Sequence, residues 1–264
     1  MRSNKNEFDI HEYATRDEAV TAINQQRITA AIDATATPPP QLLLSSASDP
    51  SGTRALIQLD QTQPGQFILP IVDLHPLPPS DPAGGLATFY LVIAATILGF
   101  ITMFQLRANV KTLTLRRWLL CMLVLAVVGG AALAVVTGPV LKALSTPFPQ
   151  LWLLISLQIA VAAAFNSTML VLIHRWAIIP TWLVFILLGN TSSGGAVSAS
   201  LLPQPFAFFN HALPSGATVS AIHAATYFPH NQRPLPFIVL GVWLVVSLTA
   251  LIVASRALHR SPAE

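Results

Sequence analysis

Residues 189–228 read GNTSSGGAVSASLLPQPFAFFNHALPSGATVSAIHAATYF. They lie inside a 57-residue run, Trp176 to Gln232, that contains no Asp, Glu, Lys or Arg. The run is apolar enough for a membrane, yet Gly194, Gly195, Pro203, Pro205, Pro214 and Gly216 each interrupt a helix, and Ser and Thr recur between the apolar residues. It is therefore too broken to be one membrane helix. Lipid offers no hydrogen bonds, so irregular backbone at membrane depth must be buried in protein or face a watery cavity. Residues 191–228 are accordingly expected to form a re-entrant segment, short helices and turns that dip into one mouth of a helical bundle.

Outward from this stretch, four spans of 20 to 23 uncharged residues are legible at about 86–106, 118–140, 151–173 and 235–254. Each makes roughly 30 to 35 Å of helix, enough to cross a bilayer. A shorter fifth, about 176–190, feeds the broken stretch, with Pro180 tolerable in its first turn. Composition agrees: 53% of residues are hydrophobic and 9% charged, and the mean hydropathy is +0.61, so the lipid bilayer is the chain's main solvent. Ten of the eleven acids precede residue 82, which divides the chain into a soluble segment, 1–82, and a membrane segment, 83–264.

Counting Lys and Arg in the connections orients the bundle. Arg107, Lys111, Arg116, Arg117, Arg175, Arg256 and Arg260 fall on one side, and Lys142 and Arg233 on the other. The expectation is a multi-pass protein of the cell membrane with the N-terminus outside and the C-terminus cytoplasmic. The net charge of +3 does not imply nucleic acid, because the basic residues flank apolar spans and do not cluster on a folded face. Cys121, the single cysteine, lies within a span, so a disulfide within the chain is impossible.

The soluble segment reads as a small extracytoplasmic α+β domain. Thr15-Arg16-Asp17-Glu18 has the spacing of a capping box, predicting a helix over about 16–26 that buries Ala19, Val20 and Ile23. Strand patterns occur at 8–10, 28–32, 41–45 and 67–74, and a helix is expected near 53–59. Pro38 to Pro40 and the prolines from Pro76 to Pro82 are extended connectors. Residues 1–12 carry no apolar core of a secretion signal, so an outer location requires another segment or a partner to carry the domain across.

Small residues recur at helix-contact spacing, Gly130, Ala134 and Gly138 in one span and Ala160, Ala164 and Thr168 in the next; they suit packing within the chain or a dimer face. Gln158 and Asn166 lie inside a span and either bond neighbouring helices or line a substrate path. No carboxylate lies within a span to relay protons or sodium. No lysine sits in a phosphate-cradling GxxxxGK[ST] loop, so any ATP is hydrolysed by a separate subunit. His211, His223 and His230 have no acid nearby to orient a metal-bound imidazole, and Ser192 and Ser193 lack a nucleophile's setting, so neither a metal, a cofactor nor an enzyme activity is expected.

The 189–228 stretch resembles the segment before the last membrane helix of the YhgE/Pip (phage infection protein) group of ABC-2 type transporter permeases. FDIHEYATRDEAVTAI at 8–23, RITAAI at 27–32 and VDLHPLPPSDP at 72–82 are similar to that group as well. The resemblance implies a permease of six membrane helices with an extracytoplasmic domain after the first and re-entrant helices before the sixth; this sequence begins after the family's first helix. By position, Arg107, Lys111, Arg116 and Arg117 match the loop that meets an ATPase subunit. Asn190, Ser192, Ser193, Gly194 and Gly195 match the outer gate, a re-entrant motif that Pro203, Pro214 and Gly216 continue. The function implied is the membrane subunit of an exporter, acting as a homodimer or heterodimer with a separate ATP-binding subunit. The alternative is a non-transporting surface protein, such as a phage receptor or secretion accessory.

Overall fold

The structure, a computed structural model, describes residues 10–35, 39–62, 69–77, 86–110 and 113–260. The chain divides into two compact units, Met1–Pro76 and Leu77–Glu264.

In the first unit, α1 (Arg16–Asn24) starts as its capping box demands. Thr15 Oγ1 accepts from the Glu18 amide at 3.2 Å, satisfying one amide that the helix start leaves free, and the Glu18 carboxylate reaches back to accept from the Ala14 amide, one residue before the cap, at 3.2 Å. The helix stops two residues short of the expected end, because Gln26 takes φ 55°, a left-handed conformation that no helix continues through. It buries Ala19, Ala22 and Ile23, and Val20 is only half-buried. Three short strands follow: β1 (Ala30–Asp33) runs antiparallel to β2 (Gln41–Leu44), which pairs parallel with β3 (Ile71–Asp73). Arg16 closes on Asp33 at 3.0 Å, tying helix to sheet.

Between β2 and β3, α2 (Pro50–Thr62) begins three residues earlier than the apolar pattern suggests, because Asp49 caps it by accepting from the Gly52 amide at 2.8 Å. Of the strand expected at 8–10, Phe8 and Asp9 lie outside the described residues and Ile10 is in no strand. The 67–74 strand is described from Leu69 on and pairs only at β3.

The second unit is helical: α3 (Leu86–Asn109), α4 (Leu115–Val135) with a π-turn at Val136–Val140, α5 (Phe148–Ile173), α6 (178–191), α7 (Phe206–Ala212), α8 (Pro214–Tyr227) and α9 (Leu235–Arg260). Four apolar helical stretches are long enough to cross a membrane: Leu86–Asn109, Leu115–Val140, Phe148–Thr191 and Leu235–Ala257. The helices run past the charge-free windows read from sequence because their caps lie further out; Thr114, for example, accepts from the Arg117 amide and opens α4 three residues before Trp118. The third stretch contains α5 and α6, parted at His174, where φ is 54°. The fifth span read from sequence is therefore a short helix of about 20 Å that folds back along α5 after the turn, with Phe185 packed against Val161 and Ala162. Half of α6 is π-helical, Trp182–Leu188.

The helix α5 is central, with Leu151, Ile155, Ile159, Ala162 and Ala163 all fully buried. One core cluster joins Leu91, Ala134, Leu151, Ile222 and Leu240; a second joins Met103, Trp118, Leu170, Ala177 and Leu251. These clusters pair the starts of some helices with the ends of others, so successive helices alternate in direction. The stripe of small residues divides: Gly130 lies against Ser156 of α5 and Ala134 is fully buried, but Gly138 faces open space. The outward faces are apolar too, with Leu120, Leu123 and Val128 on α4 and Val242, Val245 and Val253 on α9 each more than half exposed. Apolar bands of that height are covered by lipid, and the chain is a multi-pass membrane protein.

Candidate functional site

The Gly194 end of the bundle gathers the sequence-marked residues. Where α6 stops, its last carbonyls have no helical donors, and hydroxyls supply them. Thr191 Oγ1 donates to the Leu187 carbonyl at 2.6 Å, Ser192 Oγ to the Leu188 carbonyl at 2.5 Å and Ser193 Oγ to the Asn190 carbonyl at 3.0 Å. Ser193 Oγ also accepts from the Gly195 amide at 3.3 Å. Ser192 and Ser193 are thus buried end caps of α6. The chain reverses at Gly194, φ 77°, passes through a 3-10 turn at Ala199–Leu201 and the exposed Pro203, and enters α7.

Asn210 of α7 stitches this turn down. Its Nδ2 donates to the Ser192 carbonyl at 2.8 Å, and its own carbonyl is what a Cβ on Gly216 would strike, at 2.1 Å. Pro214 opens α8 at a position where a missing amide hydrogen costs nothing. Ten of the fourteen residues of α8 are buried, Ser215 to Val219 among them, so this helix lies inside the bundle.

What holds α8 there is a chain of polar groups: Thr218 Oγ1 donates to Gln158 Oε1 at 2.7 Å, Gln158 Nε2 donates to Thr96 Oγ1 at 2.8 Å, and Thr96 Oγ1 donates to the Val92 carbonyl at 2.7 Å. The three side chains are 0–1% exposed and come from α8, α5 and α3. Asn166 plays the same part deeper down, donating to the Phe100 carbonyl at 2.9 Å and accepting from Thr181 of α6 at 3.1 Å. Gln158 and Asn166, the two residues read as interhelical or path-lining, are both fully enclosed in contacts between helices. Replacing Gln158 by Leu leaves the Thr218 hydroxyl buried without an acceptor, and is expected to lower stability by about 1–2 kcal/mol. Thermal unfolding in detergent of Gln158→Leu, Thr218→Val and the double variant checks this; strictly additive losses would show that the two side chains do not interact.

At the opposite end, Arg107 closes α3 with its guanidinium 5.4 Å from the Trp118 ring centroid, and Trp118 in turn donates to Ser167 Oγ at 3.0 Å. Arg116 and Arg117 stand exposed in the first turn of α4. Lys111 lies outside the described residues. The connection, 110–114, is therefore short, and three of its four marked cations sit on helix ends.

A cavity of about 530 Å³ opens at the Gly194 end, bordered by Asn190, Thr191 and Gly194 on one side and by Phe89, Leu202 and Phe206 among its apolar walls. Of the histidines, His223 meets Tyr227 edge to face with ring centroids 4.7 Å apart. The sequence did not single out Asn210, Thr96, Thr218 or Phe89. Asn210 was findable as a lone amide in an apolar segment between two helix-breaking prolines; Thr96 and Thr218 become visible only through Gln158. No family model matches the chain, and no curated protein or solved structure matches it significantly.

Proposed function

We propose that the chain is the membrane subunit of an ATP-driven exporter of the ABC-2 type, related to the YhgE/Pip group, whose path is completed by a second copy or a related chain. The observation that carries this reading is α8, a helix that does not cross the membrane yet is buried inside the membrane unit, between the last two apolar stretches. Broken helices are tolerated at that depth only inside protein or beside a water-filled cavity, and they recur where substrates pass. In this reading 189–228 closes the outer mouth, with Asn190, Ser192, Ser193, Gly194 and Gly195 as the gate. A separate ATPase acts on the end that carries Arg107, Lys111, Arg116 and Arg117.

Purification of the intact chain from its native membrane in mild detergent tests it. A P-loop ATPase should copurify and be lost in Arg116→Glu/Arg117→Glu, which alters two exposed cations and no helix contact. Recovery of surface or secretion partners without any ATPase would favour the non-transporting alternative.

The seven-to-two distribution of basic residues supports an N-terminus outside and a C-terminus inside. In a Cys121→Ser background, a membrane-impermeant thiol reagent is expected to reach Thr21→Cys and Asn231→Cys in intact cells but neither Asn109→Cys nor Ala257→Cys. All four positions are exposed, so only the membrane separates them. The reverse pattern overturns the orientation.

A further inference from the structure

We infer that the cavity at the Gly194 end is a binding site for one acyl chain of a membrane phospholipid. The cavity measures about 530 Å³, within the roughly 300–1,000 Å³ of small-molecule sites, and among the described residues none that borders it is charged. Its walls include Phe89, Val197, Leu201, Leu202, Pro203 and Phe206. Three features identify the occupant.

First, the depth is that of an interface. Phe89 lies in the first turn of a membrane-spanning helix, and Asn190 and Thr191 end another apolar helix, so the cavity opens where chains leave their headgroups. Second, the surface around it is continuous with the lipid-covered one. Residues 197–208 belong to no spanning stretch, yet Val197, Leu201 and Phe208 are 47%, 48% and 65% exposed; Tyr90, which follows the wall residue Phe89 in the chain, is 64% exposed. A segment that faced water would not leave three such side chains this exposed, whereas one immersed in the interface does. Third, the rim carries a polar group of the right kind: among the described residues nothing bonds the Asn190 side-chain amide, which can donate to an ester carbonyl at the head of the chain. The inference rests on the membrane-spanning helices and stands whether or not the chain exports anything.

The test uses the full chain in lipid nanodiscs that contain phosphatidylcholine with a diazirine in one acyl chain. After illumination, peptide mapping compares label on 196–206 with label on Val128 and Val245, two side chains that face bulk lipid. Label on 196–206 is expected to exceed both controls several-fold. Leu201→Trp, which fills the cavity, should return it to the control level with label at Val128 unchanged, and Val197→Trp should do the same from another wall. Equal labelling of all three places in the unaltered chain overturns the site. So does an excess at 196–206 that neither tryptophan reduces.

Discussion

Gly216→Val is expected to destabilise the membrane unit by about 3 kcal/mol, the upper range for overpacking a closed site. A Cβ at residue 216 would lie 2.1 Å from the Asn210 carbonyl oxygen, 2.9 Å from its carbon and 3.1 Å from the Asn210 Cα. All three are backbone atoms, so no rotamer change makes room, and either α7 or the start of α8 must move. Moving α7 pulls the Asn210 amide from the Ser192 carbonyl; moving α8 pulls Thr218 from Gln158. Either way a buried polar pair is broken on top of the steric strain. Ser220→Val, on the exposed side of the same helix, controls for β-branching and should stay within about 0.5 kcal/mol of the parent. Thermal unfolding in detergent measures both. A Gly216→Val protein that melts like its parent would show that α7 and α8 do not approach as closely as described.

The parts of this architecture that were legible in the sequence are those that depend on local chemistry. Charge-free windows located the spanning helices because charge is costly in lipid. Thr15 and Glu18 located α1 because capping depends on residues three apart. Ends were less legible: α4 and α2 each open three residues early, at caps contributed by Thr114 and Asp49 that lie outside the apolar pattern. The candidate site divides in the same way. The glycines and prolines of 189–228 mark breaks, and breaks are local. That α8 lies inside the bundle is not local, because its sequence is evenly mild, with Ser, Thr, Gly and Ala on every side. A helix so short and so little amphipathic reads equally as interfacial or buried, and only Gln158, sixty residues earlier in the chain, decides between them by offering Thr218 an acceptor.

The neighbouring glycines Gly194 and Gly195 should respond differently to substitution, because they are glycine for different reasons. Gly194 has φ 77°, a conformation that costs an ordinary L-residue about 1–2 kcal/mol and Asn less. A Cβ there would stand 3.0 Å from the Asn210 Nδ2, the far end of a side chain that can yield by a few tenths of an ångström, and at ordinary contact distance, 3.6 Å, from the Ala199 Cβ. Gly195 has no such φ; a Cβ there would stand 2.8 Å from the Phe89 Cβ and 3.3 Å from its Cα, so any side chain pushes the turn away from α3. Gly194→Asn is therefore expected to keep most stability and function, and Gly194→Val to lose both. At residue 195, Val and Asn should do equal harm, about 1–3 kcal/mol each. Insertion into the membrane should be normal in all four, since neither residue belongs to a spanning stretch. Shortening Phe89 to Ala should not rescue Gly195→Ala, because the clashing atom is the Cβ that Ala retains. Phe89→Gly removes it, at about 1 kcal/mol of helix propensity. Thermal unfolding and copurification with the proposed ATPase, measured on the same preparations, separate a loosened turn from a lost partner. If Asn proves as harmful at 194 as at 195, packing and not backbone conformation governs both positions; if it is harmless at both, the turn is not held against α3 at all.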